Sequence, residues 1–141
     1  MKHQNIISLI SHVRNLANEF IVEELRKEGI EDISPSHGNI MNALFFQDGL
    51  SMKEINEKIN KKKNTVTVLI DKLENLGYVT KKTDADDKRI THIYLTEKGR
   101  SFEKSFRSVS AKLIKKTFEG FSEKERMVVV KLLDKIRRNF E

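Results

Sequence analysis

Apolar residues recur at spacings of three and four along most of the chain, and at a spacing of two in one short region past its middle. Near the start, Ile6, Ile7, Leu9, Ile10, Val13, Leu16, Ala17, Phe20, Ile21 and Leu25 make a broad stripe closed by Gly29, which predicts a first helix over residues 3–27. Ser34 and Pro35 read as the N-cap and first residue of a second helix, since a serine oxygen accepts from a free helix N–H and proline has no N–H to leave unpaired. That helix turns Ile40, Met41, Leu44 and Phe45 inward and closes near Gly49. Ser51-Met52-Lys53-Glu54 is a capping box, in which serine and glutamate satisfy each other's backbone donors; it opens a short third helix that buries Ile55 and Ile59. Between Lys61 and Gly77, Val66, Leu69, Ile70, Leu73 and Leu76 share one stripe of a fourth helix, ended by Gly77 in the left-handed conformation.

The period then changes. Tyr78 to Lys82 and Ile90 to Leu95 alternate apolar and polar residues like two strands of a hairpin. The tip between them, Thr83-Asp84-Ala85-Asp86-Asp87-Lys88-Arg89, is too long and too charged for a two-residue turn, so it should project. Beyond it, Thr96 caps a long helix carrying Phe102, Phe106, Val109, Leu113 and Phe118 as far as Gly120. Ser122-Glu123-Lys124-Glu125, a second capping box, opens a terminal helix with Met127, Val128, Val130, Leu132, Leu133, Ile136 and Phe140. The pattern predicts a mainly α fold with a small β-hairpin wing: a winged helix-turn-helix between long terminal helices.

The fourth helix carries the chemistry. Opposite its apolar stripe lie Asn64, Val68, Asp71, Lys72 and Asn75, flanked by Thr65 and Thr67, with Lys61, Lys62 and Lys63 at its entry. A basic entry followed by small hydrogen-bonding side chains suits a helix whose first turns meet base edges in a DNA major groove. Asparagine can pair bidentately with adenine and threonine can offer a hydroxyl or a methyl, although Asn64 serves equally well as a helix cap. The three lysines suit phosphate neutralisation, as do Lys88 and the Lys81-Lys82 pair. At the wing tip Arg89 can reach a minor groove, where a guanidinium favours narrow A·T-rich geometry.

Charge agrees with this division. Of the net +6, residues 1–50 carry −3, residues 51–95 carry +3 and residues 96–141 carry +6, so basicity begins where the helix-turn-helix begins. A polyanionic partner is the natural reading, with a solvated lysine-rich face as its plainer rival. The absence of cysteine from the sequence excludes disulfides, thiolate metal sites and a thiol redox switch. Nothing approaches the length of an apolar membrane span and the N-terminus lacks a signal-peptide pattern, so a cytoplasmic location with no membrane partner is expected.

"NTVTVLIDKLENLGYV", "DADDKR" and "LTEKG", in that order, resemble the core signature of the MarR family of bacterial transcription regulators: a T-x-T helix, a glycine exit, a D-x-R wing tip and an L-T-x-x-G helix start. The detailed match runs from about Pro35 to Arg100. Two positions depart from it: Val68 stands where many members carry arginine, and Ala85 where proline is common. The resemblance implies a homodimeric repressor that binds a palindromic operator in double-stranded DNA and is relieved by a small-molecule effector. It implies a DNA-binding lobe over 34–100 and a helical dimerisation region from 1–33 and 101–141, which would also cover the excess apolar surface of the terminal helices. It gives Asp87 the role of orienting Arg89 by an ion pair. It also places an effector pocket between dimer helices and DNA-binding lobe, where a small aromatic ligand would lie between His12 and His37, against Leu16, Met41 or Phe45. From the residues alone, His12 and His37 read first as ordinary helix-face histidines.

Catalysis finds no constellation. His3, His12, His37 and His92 show no metal spacing, there is no G-x-S-x-G and no phosphate-binding glycine loop, so neither an enzyme nor a cofactor or metal is expected. The alternative function is a winged-helix protein–protein interaction module that does not bind DNA.

Overall fold

A computed structural model describes residues 5–141; His3 lies outside them. The chain divides into two compact units, Met1–Val109 and Ser110–Glu141.

The first unit runs α1 (Ile6–Lys27), α2 (Pro35–Phe46), β1 (Leu50–Ser51), α3 (Met52–Ile59), α4 (Lys63–Asn75), β2 (Val79–Thr83), β3 (Thr91–Leu95), α5 (Glu97–Ser101) and the first part of α6 (Glu103–Thr117). Each expected helix end falls on a glycine with positive φ: Gly29 at 81°, Gly49 at 75° and Gly77 at 81°. The capping box of Ser51 is complete, with Glu54 N–H donating to its Oγ at 3.1 Å and its own N–H donating to Glu54 Oε1 at 3.0 Å. One core joins the elements: Leu25, Ile30, Ile40, Met41, Leu44, Leu50, Ile55, Val66, Ile70, Leu73, Val79 and Ile93 are each at most 2% exposed. Ile59, expected in that core, is only partly buried against it.

The hairpin is two strands of a three-stranded antiparallel sheet, ordered β1-β3-β2. Leu50 pairs with Ile93 and Ser51 with His92, while Val79 to Thr83 pair in reverse with Leu95 to Thr91. β1 is invisible to hydrophobic periodicity because two residues cannot show an alternation, and its Ser51 doubles as a helix cap. Asp48 secures this edge: Oδ1 accepts from Leu95 N–H at 2.8 Å and Gly49 N–H at 3.1 Å, and Oδ2 from Arg100 at 2.7 Å.

The L-T-x-x-G stretch locks sheet to helix. Thr96 Oγ1 accepts from Gly99 N–H at 3.0 Å and donates to the Gly77 carbonyl at 2.5 Å. A Cβ on Gly99 would sit 2.1 Å from the Tyr78 carbonyl oxygen, so no side chain fits there. The single long helix expected from Thr96 to Gly120 is corrected: α5 stops at Ser101, Phe102 turns edge-on to Tyr78 with ring centroids 5.3 Å apart, and α6 starts at Glu103. The apolar spacing continues through Phe102 and Phe106, so periodicity alone cannot register the break.

The second unit holds the end of α6, a turn at Gly120 and α7 (Glu123–Arg138). Ser122 caps α7 by accepting Glu125 N–H at 3.1 Å, but the Glu125 carboxylate takes the Ser122 hydroxyl at 3.2 Å rather than its N–H. No residue of α7 is buried: Met127, Val130 and Leu132 are more than half exposed, and Phe140, expected within the helix, lies past its end at 78%. Phe118, Phe121, Met127 and Val130 line an open groove of about 840 Å3.

Candidate nucleic-acid interface

α4 begins at Lys63 with Lys62 as its N-cap, and no side chain caps it. A lysine cannot accept a hydrogen bond, so the free N–H groups of the first turn are left to solvent or to an anion. Asn64 is therefore not the cap. Its side chain is exposed in the first turn, next to exposed Thr65. Val66, Ile70 and Leu73 hold the helix in the core, which turns Asn64, Val68 and Lys72 outward; Val68 is 69% exposed. Thr67 donates its hydroxyl proton to the Lys63 carbonyl at 3.0 Å, so towards a ligand it offers a methyl and an acceptor.

The wing tip is folded by its own carboxylates. Asp84 Oδ2 accepts the backbone N–H groups of Asp86 at 3.1 Å and Asp87 at 3.0 Å, and Asp84 N–H donates to the Ile90 carbonyl at 2.9 Å. Asp87 then clamps Arg89: its Oδ1 accepts from Nε and from the backbone N–H, and its Oδ2 from Nη2, each at 3.0 Å. The fork-to-fork geometry fixes a guanidinium that is otherwise 90% exposed, and the arginine bonds hold the Asp87 carboxyl below its ordinary pKa.

The two lysines of β2 part company. Lys81 bonds Asp71 of α4 and lies 3.6 Å from Glu74, and the Asp71 bond raises its pKa. That ammonium braces wing against helix and is committed within the protein. Lys82 stands over the Tyr94 ring at 4.9 Å with its side chain exposed. Lys61 is half-buried, and Lys62, Lys63 and Lys88 are exposed.

Helix and wing share a cleft of about 500 Å3, lined by Ser51, by Met52, Lys53 and Asn56 of α3, by Lys63 of α4, and by Arg89, Ile90 and Thr91. Three cations from three separate elements thus face one opening. Lys53 and Asn56 were not singled out by sequence: periodicity places both on the polar face of α3 without saying what that face adjoins. Asn56 Oδ1 is buried without a hydrogen-bond partner.

The five residues of the expected effector pocket are not gathered in either cavity. His12 and Leu16 are exposed on α1, Met41 is fully buried in the core, and Phe45 packs on Phe106 with centroids 5.5 Å apart. His37 is buried and acts as a cap: its Nδ1 accepts Ser34 N–H at 3.0 Å and lies 2.7 Å from Ser34 Oγ. Burial first, and Lys72 second, lower its pKa, which keeps Nδ1 free to accept.

A model of the MarR family matches residues 33–91, the stretch from α2 to the start of β3. Over that stretch the chain is similar to the MarR family of transcription regulators. Among its relatives is an uncharacterised HTH-type transcriptional regulator, YdgJ of Bacillus subtilis (strain 168), 28% identical over 112 residues that span 79% of this chain and 68% of that protein. Two solved structures share the fold. A MarR mutant from E. coli complexed with operator DNA has a TM-score of 0.82 at 20% identity, covering 96% of this chain and 99% of that one. The PcaV transcriptional regulator from Streptomyces coelicolor, in complex with its natural ligand, has a TM-score of 0.82 at 18% identity, covering 99% and 95%. MarR members are transcription regulators rather than enzymes, and no helix among the described residues is long and apolar enough to cross a membrane.

Proposed function

We propose that this protein is a homodimeric, sequence-specific DNA-binding repressor without catalytic activity, released from a palindromic operator by a small-molecule effector. The observation that carries the reading is the shared cleft, where Lys53, Lys63 and the clamped Arg89 meet. A groove-inserted helix and a minor-groove wing need a cationic seam between them to seat the intervening phosphates. In this reading residues 34–100 form the DNA-binding lobe, while 1–33 and 101–141 form the dimerisation region. Asn64, Thr65, Thr67 and Val68 face bases, with Lys72 further along the same face. Lys61, Lys62, Lys63, Lys82 and Lys88 neutralise phosphates, and Arg89, oriented by Asp87, enters the minor groove. Lys81 supports the wing from within.

The structural likeness to regulators solved with operator DNA and with a natural ligand supports both halves of this reading. Release would follow from population shift: an effector that binds better to a dimer with misplaced recognition helices lowers operator affinity by the ratio of its two affinities. An effector reaching His37 and Met41 would have to open the core, so exposed His12 and Leu16 and half-buried Phe45 are the accessible part of that expected site.

Selection of bound sequences from a random duplex library tests DNA binding, palindromy and half-site spacing together. Recovery of an inverted repeat with half-sites about one helical turn apart is the expected result. Failure to enrich any sequence, together with no mobility shift on random DNA, would instead favour a protein–protein interaction module.

A further inference from the structure

The wing arginine is held by Asp87, and Asp87 is held in turn by a connection that starts on the far side of the sheet. His92, on the central strand β3, has acceptors at both ring nitrogens: the Gly49 carbonyl 3.0 Å from Nδ1 and Asp84 Oδ1 2.8 Å from Nε2. Neither acceptor carries a proton. A neutral imidazole has one N–H and can satisfy only one of them, whereas the imidazolium satisfies both. Asp84 spends its second oxygen on the N–H groups of Asp86 and Asp87, the turn that presents the Asp87 carboxylate to Arg89. A continuous chain of hydrogen bonds therefore runs from Gly49 through His92, Asp84 and Asp87 to Arg89.

We propose that His92 is a positioning residue for DNA reading by the wing, acting through Asp84, and that its protonation makes operator recognition dependent on pH. The proposal rests on the reading that Arg89 meets DNA. His92 and Asp84 are both about three-quarters shielded, at 24% and 28% side-chain exposure, so the pair is screened less than a surface bridge. The groups around the ring favour its charge. Glu54 of α3 acts on it electrostatically, and β1 contributes only uncharged Ser51 as its register partner. Asp48, beside Gly49, is engaged by Arg100. Lys82, its partner across β2, is the opposing cation, and its ammonium lies over the Tyr94 ring.

The Asp84 bond first and the Gly49 carbonyl second raise the His92 pKa above its ordinary 6.5, and His92 lowers that of Asp84 below 3.8. The raised histidine contributes while charged and is lost as pH rises through its folded-state pKa. The depressed carboxylate contributes above its unfolded value and is lost only in strong acid. The wing is thus braced in mildly acid solution, below the folded-state pKa of the histidine, and loosens as pH rises through it.

Two measurements test this. In the free protein, 15N NMR should find both His92 ring nitrogens protonated at pH 6, with the amides of Asp86 and Asp87 and the Nε–H of Arg89 shifting at the same midpoint as His92. If those reporters ignore the His92 titration, the proposal is overturned whatever the protein binds. Affinity for a library-selected duplex and a scrambled duplex, at constant ionic strength across the histidine midpoint, gives the second readout. The ratio of the two affinities cancels the general gain of charge from the other histidines. It should fall by about three- to tenfold as pH rises, the scale of one lost hydrogen bond. That fall should vanish in His92→Gln and in Arg89→Ala. A wild-type ratio flat with pH, or one that still falls in His92→Gln, overturns the proposal. If the NMR coupling is present but neither duplex binds, the positioning chain stands within the free protein and the DNA-binding function fails instead.

Discussion

Val68 stands 69% exposed on α4 between polar neighbours, at a position where the MarR pattern commonly has arginine. Lacking donors, it can contact only an apolar atom, which in the major groove means a thymine methyl; otherwise the base beneath it goes unread. Val68→Arg should move the selected motif toward guanine at that position, and an unchanged motif would show that α4 lies in another register. Arg89 and Lys82 should separate by the kind of DNA they distinguish. Arg89→Ala should weaken binding to the selected duplex by roughly ten- to a hundredfold, with little effect on scrambled DNA, and Asp87→Ala should be a milder version because the arginine remains but is no longer aimed. Lys82→Ala should weaken both duplexes alike and flatten the slope of log K against log salt by about 0.9 per phosphate lost, hence about twice that when both subunits are altered. Titrations at several salt concentrations resolve the three variants, and thermal melts should leave all of them near wild type because Lys82 and Arg89 are exposed and Asp87 lies in the surface wing tip, outside the core.

At the scale of elements, the decisive joint is the one between β3 and α5. Thr96 bonds both Gly99 N–H and the Gly77 carbonyl, and Gly99 lets α5 pass against the Tyr78 backbone. Gly99→Ala would place a methyl 2.1 Å from a carbonyl oxygen, where no flexible side chain can yield. It should destabilise the lobe by about 1–3 kcal/mol, read as a lower urea midpoint at unchanged slope. The wing's orientation should suffer as well, since β2 and β3 are tied at this end through the same residues. The helix caps around this joint were legible from residue type alone because each cap closes within three or four positions. The division of the helix after Thr96 into α5 and α6 was not, because it arises from Phe102 packing on Tyr78.

For the whole molecule, assembly follows from apolar surface that one chain leaves uncovered. On α1, Ile7, Leu9, Val13 and Leu16 are each more than half exposed; on α7 so are Met127, Val130 and Leu132. At about 25 cal/mol for each Å2 of apolar area removed from water, such faces stabilise a dimer strongly. Sedimentation equilibrium at micromolar concentration should give twice the 16.4 kDa chain mass, and Leu133→Glu or Phe140→Glu should weaken dimer and operator binding together. A mass at 16.4 kDa for the unmodified protein would remove the two-fold reading of the operator.

By itself the sequence determined what is local. The 3.6-residue period, the capping serines and the glycines at 29, 49, 77 and 120 placed the helices, and alternation placed the hairpin, because each signal repeats or closes within a few residues. The ordered motif also made the family resemblance and the Asp87–Arg89 pair legible, since those two side chains are only two positions apart. Only the tertiary structure decided which charged groups remain available to a partner. It committed Lys81 to Asp71 and Glu74, opened Lys53 and Asn56 onto the wing, and tied His92 to a carbonyl 43 residues away. It also kept Met41 in the core, as its spacing required, and made His37 a cap, where the family resemblance implied a pocket for a ligand. Such pairings depend on sheet register and on the close packing of one element against another, and no local period carries that information.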